Sequence, residues 1–174
     1  MERSLVERAR SGDQHAFETL VRTRLDAVYR TAYAILGDHA DAQDATQEAF
    51  VAAWRNLGSL RDPDRFDAWF GRILTNACRM SLRHRRDARA HDGELPDDVP
   101  DPAYLNVPAT SSDRFHRAFE RIPVEQRALL VGRHLDDRSI PDLAAELGVP
   151  EGTVKSRLFT ARVALRRALE EDDR

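Results

Sequence analysis

The residues best suited to chemistry in this chain are hydrogen-bonding and cationic side chains at the start of one helical pattern near the C-terminus. They are Thr153, Lys155, Ser156, Arg157, Thr160 and Arg162. Residues 152–169 carry five cations and no acid. Val154, Leu158, Ala161 and Leu165 recur at helical spacing and predict the buried stripe, so the hydroxyls and cations must face outward. Short donors and acceptors at the start of an exposed cationic helix are what a duplex reader places in the major groove. Arg157 is long enough to reach either a base edge or a phosphate. A second pattern precedes this one: Ser139 as cap, Asp142 three residues on, Pro141 in the first turn, and Gly148 as terminator. The two patterns joined by Val149 and Pro150 predict a helix-turn-helix.

A second cationic surface lies in the N-terminal half. Pro63 and Asp64 start a helical pattern whose expected core stripe is Phe66, Trp69, Phe70, Ile73, Ala77 and Met80. Arg65, Arg72, Asn76, Arg79, Arg83 and Arg86 then fall within an arc of about 80°, taking roughly 100° per residue. These six positions hold five cations and one amide. A solvated face usually mixes signs, so this single-sign row predicts a surface tracking phosphates, with Asn76 able to read a base. Arg61, Asp62 and the prolyl turn form a polar loop beside it, where an unpaired base could lodge above Trp69 and Phe70.

The helical pattern from about Ala40 to Leu57 is divided differently. Ala42, Ala49, Phe50, Ala53, Trp54 and Leu57 share its expected buried side. Asp44, Gln47 and Glu48 lie together on another face, a compact patch of acceptors that by periodicity alone reads by default as a solvated helix surface.

These surfaces need two small helical units to position them. The chain has 174 residues and a net charge of −3. Residues 1–91 carry 15 cations and 13 acids, residues 114–174 carry 12 and 11, and residues 92–113 carry six acids and no cation. The whole deficit thus falls in one stretch that also holds four of the eight prolines. The expected organisation is all-α: an N-terminal domain over 1–91, a flexible acidic linker over 92–112, and a C-terminal helix-turn-helix domain over 113–174. The linker predicts that the two domains fold as separate units. No apolar run reaches the roughly 18 residues of a membrane span, and the charged N-terminus lacks a signal peptide's apolar centre, so a cytoplasmic protein without membrane insertion is expected. Cys78 is alone and reads as a core residue.

Taken together, these segments resemble the extracytoplasmic-function type of bacterial RNA polymerase sigma factor. DAQDATQEAFVAAW is similar to the family's polymerase-clamp-binding motif, RFDAWFGRILTNACRMSLRHRR to its promoter-melting helix, and LGVPEGTVKSRLFTAR to its upstream-element reader. The resemblance implies that Asp44, Gln47 and Glu48 contact the coiled coil of the polymerase largest subunit. It also implies that the 61–86 surface holds the single-stranded downstream promoter element and that the last helix reads the upstream element as duplex. It implies a chain that directs transcription initiation, an anti-sigma factor as a further partner, and a linker running toward the RNA exit path. At this length no fused sensor domain is expected.

The main rival is a conventional dimeric helix-turn-helix transcriptional regulator. That reading leaves the N-terminal cationic row and the acidic linker without a purpose, and it requires two reading helices at fixed spacing. A nuclease is the other rival. The histidines at 15, 39, 84, 91, 116 and 134 form no HExxH or Cys-paired pattern, and no phosphate loop or nucleophile motif is present. No catalysis by the chain itself, no cofactor and no metal are expected.

Overall fold

Local capping rules set most helix boundaries in the computed structural model, which describes residues 2–92 and 109–171. Helix α1 spans Glu2–Arg10, and Asp13 caps α2, Gln14–Leu36, by accepting from the Ala16 amide. Asp38 caps α3, His39–Asn56, through the Asp41 amide. A single tight turn over Pro63–Arg65 leads into α4, Phe66–Asp92. Then follow α5, Ala109–Glu120, and α6, Val124–His134. Ser139 and Asp142 form a full capping box on α7, Ile140–Leu147, with Pro141 in its first turn. Gly148 closes α7 at φ 65° and delivers the chain into α8, Glu151–Glu171. All regular structure among the described residues is helical. The linker predicted over 92–112 lies outside the described residues apart from its edges, where α4 runs to Asp92 and α5 begins at Ala109.

Gly37 shows why one position admits no side chain. It ends α2 at φ 75°, and a Cβ there would come within 2.2 Å of His116 Nε2 on α5. The His116 ring instead meets the Gly37 carbonyl at 3.2 Å.

That contact belongs to a seam along which the two halves pack against each other. One continuous core joins Leu36, Phe70 and Leu74 to Phe119, Leu130, Leu143 and Val154. Arg127 of α6 is only 4% exposed and donates from Nη1 to the Ile35 carbonyl at 2.7 Å and from Nε to the Ile122 carbonyl at 3.1 Å. Ile35 lies in the last turn of α2, where carbonyls lack helical partners and the helix dipole is negative, so a buried guanidinium is a suitable cap. Thr31 donates to Asp136 at 3.0 Å, and Arg85 meets Asp41 at 3.1 Å and Glu120 at 3.9 Å.

The same seam corrects the α4 stripe. Leu74, Cys78 and Leu82 are buried along with Phe66, Phe70 and Ala77, while Met80 is 37% exposed. Helix α4 is covered by α3 on one side and by α6 and α7 on another, which rotates its buried face. Trp54, expected in the core of α3, is 41% exposed and rests on Phe17 at a centroid distance of 4.8 Å. Burial pushes the Cys78 thiol up to about 12. At pH 8 it stays un-ionised, and since the thiolate is the reactive form, folded protein should resist iodoacetamide and react only after denaturant is added. Stoichiometric labelling of the folded chain at pH 8 would contradict this burial.

Candidate nucleic-acid interface

Three surface depressions gather the residues expected to act. The first lies at the loop before α4, about 320 Å³ in volume, lined by Arg61, Asp62, Arg65, Trp69 and Arg72, with Ala145 of α7 closing one side. Asp62 shapes this loop by accepting from the Asp64 amide at 3.1 Å, and it stands 3.7 Å from Arg65. Phe66 packs beneath, 5.8 Å from both Trp69 and Phe70. The result is a polar-mouthed pocket with aromatic support, sized for one unstacked base.

The second depression, about 770 Å³, runs between α3 and α4. Asp44, Gln47 and Glu48 form one wall and Arg72, Asn76, Met80 and His84 the other. All three acceptors are exposed, while Ala42, Ala45, Thr46, Ala49 and Phe50 on the same helix are buried, so the polar patch projects from a rigid base. The α4 row emerges as the periodicity predicts, with Arg65, Arg72, Asn76, Arg79, Arg83 and Arg86 all exposed. Arg79 donates to the Asn76 side-chain oxygen at 2.5 Å, holding the amide in a fixed orientation, and Arg83 lies 3.9 Å from Asp87. Arg72 is engaged differently: Nη2 donates to the Ala145 carbonyl at 2.7 Å.

The third depression, about 450 Å³, has Ser156, Arg157 and Thr160 at the start of α8 on one side and Thr75 of α4 on another. Val154, Leu158 and Ala161 are buried as expected, and Ala168 extends the stripe. Lys155, Ser156, Arg157, Thr160 and Arg162 are exposed, and Thr153 is half-buried. The hydroxyls of Ser156 and Thr160 donate to the helix carbonyls of Thr153 and Ser156 at 2.9 and 3.1 Å, leaving their lone pairs facing outward. Arg162 lies 3.4 Å from His134.

Sequence reasoning missed Phe159. It is 69% exposed, more than any other exposed large hydrophobic residue of the described chain, and shares a face with Lys155, Ser156 and Arg162. The signal was available: Phe159 falls outside the Val154–Leu158–Ala161 stripe, where a large aromatic has no structural use.

Among the described residues no three His, Cys, Asp or Glu side chains gather where one metal ion could be held. No helix among them is long and apolar enough to cross a membrane.

Comparison with known proteins follows this division of surfaces. Residues 20–88 match Sigma-70 region 2 and residues 112–165 match Sigma-70 region 4. The chain is 39% identical to the ECF RNA polymerase sigma factor SigM of Mycobacterium tuberculosis, over 91% of this chain and 80% of that protein. It belongs to the ECF sigma factors. Its identity to the RNA polymerase sigma-H factor of Pseudomonas aeruginosa is 32%, covering 97% of this chain and 94% of the relative. The solved structure of CnrH in complex with the cytosolic domain of CnrY superposes with a TM-score of 0.69 at 31% identity, covering 98% of both chains. The sigma factor RpoE of Bartonella quintana, in complex with the anti-sigma factor NepR, gives a TM-score of 0.68 at 26% identity, over 88% of this chain and 96% of that one. As an ECF sigma factor, this chain is an alternative sigma factor that binds core RNA polymerase and promoter DNA and directs transcription initiation. The region 2 match ends just past the α4 row, and the region 4 match contains the whole helix-turn-helix.

Proposed function

We propose that the three surfaces divide the work of initiation. Asp44, Gln47 and Glu48 dock the chain on core polymerase. Arg61, Asp62 and Arg65 with the α4 row of Arg72, Asn76, Arg79, Arg83 and Arg86 hold the unpaired strand of the downstream element. Thr153, Lys155, Ser156, Arg157, Thr160 and Arg162 read the upstream element as duplex. The observation that carries this reading is the exposed single-sign row on α4, continuous with a pocket sized for one base. Polymerase supplies the catalysis, so the sigma factor contributes binding energy alone, in the cytoplasm where polymerase works. An anti-sigma factor is a further partner, as it is for the Bartonella relative.

Run-off transcription with purified core polymerase on promoter fragments tests the whole reading. Wild-type chain should produce discrete transcripts. Glu48→Arg should lose at least roughly tenfold in core affinity, because reversing a docking charge places like charges together. Its helical circular dichroism should stay unchanged. Core capture by Glu48→Arg equal to wild type would remove this face from the docking role.

Phe159 adds a chemical test at the upstream element. An exposed aromatic ring on a groove-docked helix is suited to the thymine methyl group. Replacing thymine by uracil deletes one methyl, worth about 0.8 kcal/mol or roughly a fourfold loss of affinity. The polymerase holoenzyme containing wild-type chain should weaken on uracil-substituted upstream duplex, whereas Phe159→Ala should bind both duplexes alike. Equal sensitivity to uracil in both proteins would clear Phe159 of methyl reading.

A further inference from the structure

A fourth depression, about 430 Å³ in volume, belongs to none of the three surfaces described above and differs from them in kind. Its floor is Tyr33, Phe119, Leu130 and Val131, all buried. Its walls include Phe115, 40% exposed, and Leu135, 47% exposed. Single exposed apolar side chains are ordinary, but two large ones lining one hollow over an apolar floor mark a place suited to taking up apolar matter. Helices α2, α5, α6 and α8 each supply part of the lining, and the rings of Phe115 and Phe119 stack at 5.4 Å. The hollow is thus formed by packed helices before anything enters it.

The charge at this hollow is of one sign. Arg162 stands at its edge beside His134, with Nη2 3.4 Å from the ring Nε2. No acid lines the hollow, and among the described residues no carboxylate pairs with Arg162. The other three depressions each include carboxylates: Glu146 in one, Asp44 and Glu48 in the next, Asp62 in the last. His116, the other imidazole of the lining, is already turned to the Gly37 carbonyl at 3.2 Å. A guanidinium fork binds a carboxylate through two parallel N–H···O bonds, which a single ring nitrogen cannot match. One cation at the edge therefore suits one anionic group. A volume of about 430 Å³ falls at the small end of the range for small-molecule sites, and it is too short for a partner helix with anchors on successive turns.

We propose that this hollow is a binding site for a small carboxylate amphiphile, a medium-chain aliphatic acid whose tail lies on Phe119, Leu130 and Val131 and whose carboxylate takes the guanidinium of Arg162. The site goes beyond the division of promoter surfaces and does not depend on it, Arg162 being the one residue that the two share. Affinity comes mainly from the tail, since each methylene that leaves water contributes about fourfold. The exposed ion pair adds less, about three- to fivefold, and confers preference for an acid over the matching alcohol.

Titration calorimetry of the full-length chain with hexanoate, octanoate and decanoate, each below its micelle-forming concentration, measures the site directly, and octanol supplies a matched tail without the charge. One equivalent of each acid should bind saturably, with affinity rising by about fourfold for every methylene that enters the hollow. Two variants at exposed positions, with helical circular dichroism as the check on folding, locate the binding: Arg162→Gln removes the cation, and Leu135→Glu places an acid at the wall. Arg162→Gln should weaken octanoate about three- to fivefold and leave octanol unchanged. Leu135→Glu should weaken octanoate by more than it weakens octanol. Absence of saturable binding, indifference to tail length, or wild-type affinity in both variants overturns the site. Equal losses of octanoate and octanol in Arg162→Gln overturn the carboxylate contact. Sedimentation tests the rival occupant, a second copy of this chain: a wild-type dimer that Leu135→Glu returns to monomer would give the hollow to that copy and overturn the ligand, whereas a monomer in both proteins is the result expected.

Discussion

Arg127→Ala should lower stability by about 3 kcal/mol, because each bond from a charged donor to a buried carbonyl is worth about 1.5–3 kcal/mol and the orphaned carbonyls find no replacement. The residue is 4% exposed, and its two bonds tie α6 to the last turn of α2 and to its own preceding loop. Burial lowers the guanidinium's proton affinity, with Glu120 opposing that shift and Arg85 and Arg86 adding to it. The group is thus already desolvated at a cost, and its fixed carbonyl partners offset that cost. Arg127→Lys retains the charge but cannot reach two carbonyls at divergent positions, so it should recover only part of the loss. Urea unfolding at constant pH is the measurement. An Arg127→Ala midpoint corresponding to less than 1 kcal/mol of change would mean that the α2 cap is not worth what its burial suggests.

The particular helices explain how much of this architecture could be read in advance. Caps were legible because they are local: Asp13, Gly37, Ser139 with Asp142, and Gly148 each act within four residues, and each sits where sequence rules place it. The inward stripe of α8 was legible for the same reason, since Val154, Leu158 and Ala161 face a single neighbouring surface. Helix α4 was only half legible. Its outward row is exposed as expected, although Arg72 in that row reaches the Ala145 carbonyl of α7, but the inward side meets α3, α6 and α7 at once, and periodicity cannot tell Met80 from Cys78 when the buried face has several owners. The seam between halves was not legible at all. Arg127 looks like any surface arginine in sequence, and its role depends on the Ile35 carbonyl, 92 residues away. Gly71 likewise reads as a neutral helix position until Arg138 and Glu146 are brought against it. Charge segregation along the chain does not reveal that seam either, because charge reports on solvation and says little about apolar faces.

The ion pair at that seam gives the second large effect, and its sign depends on pH. Glu146 is 7% exposed, and burial raises its carboxyl above the ordinary value of 4.5. Arg138 and the more distant Arg72 pull it down again, while Asp136 pushes it up. In Arg138→Ala the burial is undiminished and the principal opposing charge is gone, so the folded-state value rises further. A buried carboxylate without its partner should cost about 3 kcal/mol at pH 7. An acid whose folded value lies above its unfolded one binds more protons when folded, so stability increases as pH falls from the folded value toward the unfolded one and is constant below it. The deficit of Arg138→Ala should therefore shrink steadily from pH 7 toward 4.5, the ordinary carboxyl value, as Glu146 becomes neutral. Glu146→Gln removes the titration while keeping an acceptor for Arg138, and the double variant Arg138→Ala with Glu146→Gln should lie close to wild type with little pH dependence of its own. The measurement is the urea midpoint of all four proteins at pH 5 and pH 7. A deficit in Arg138→Ala that is the same at both pH values, or that survives in the double variant, would assign the loss to the arginine stem and its bond to the Asp67 carbonyl instead of to an uncompensated charge.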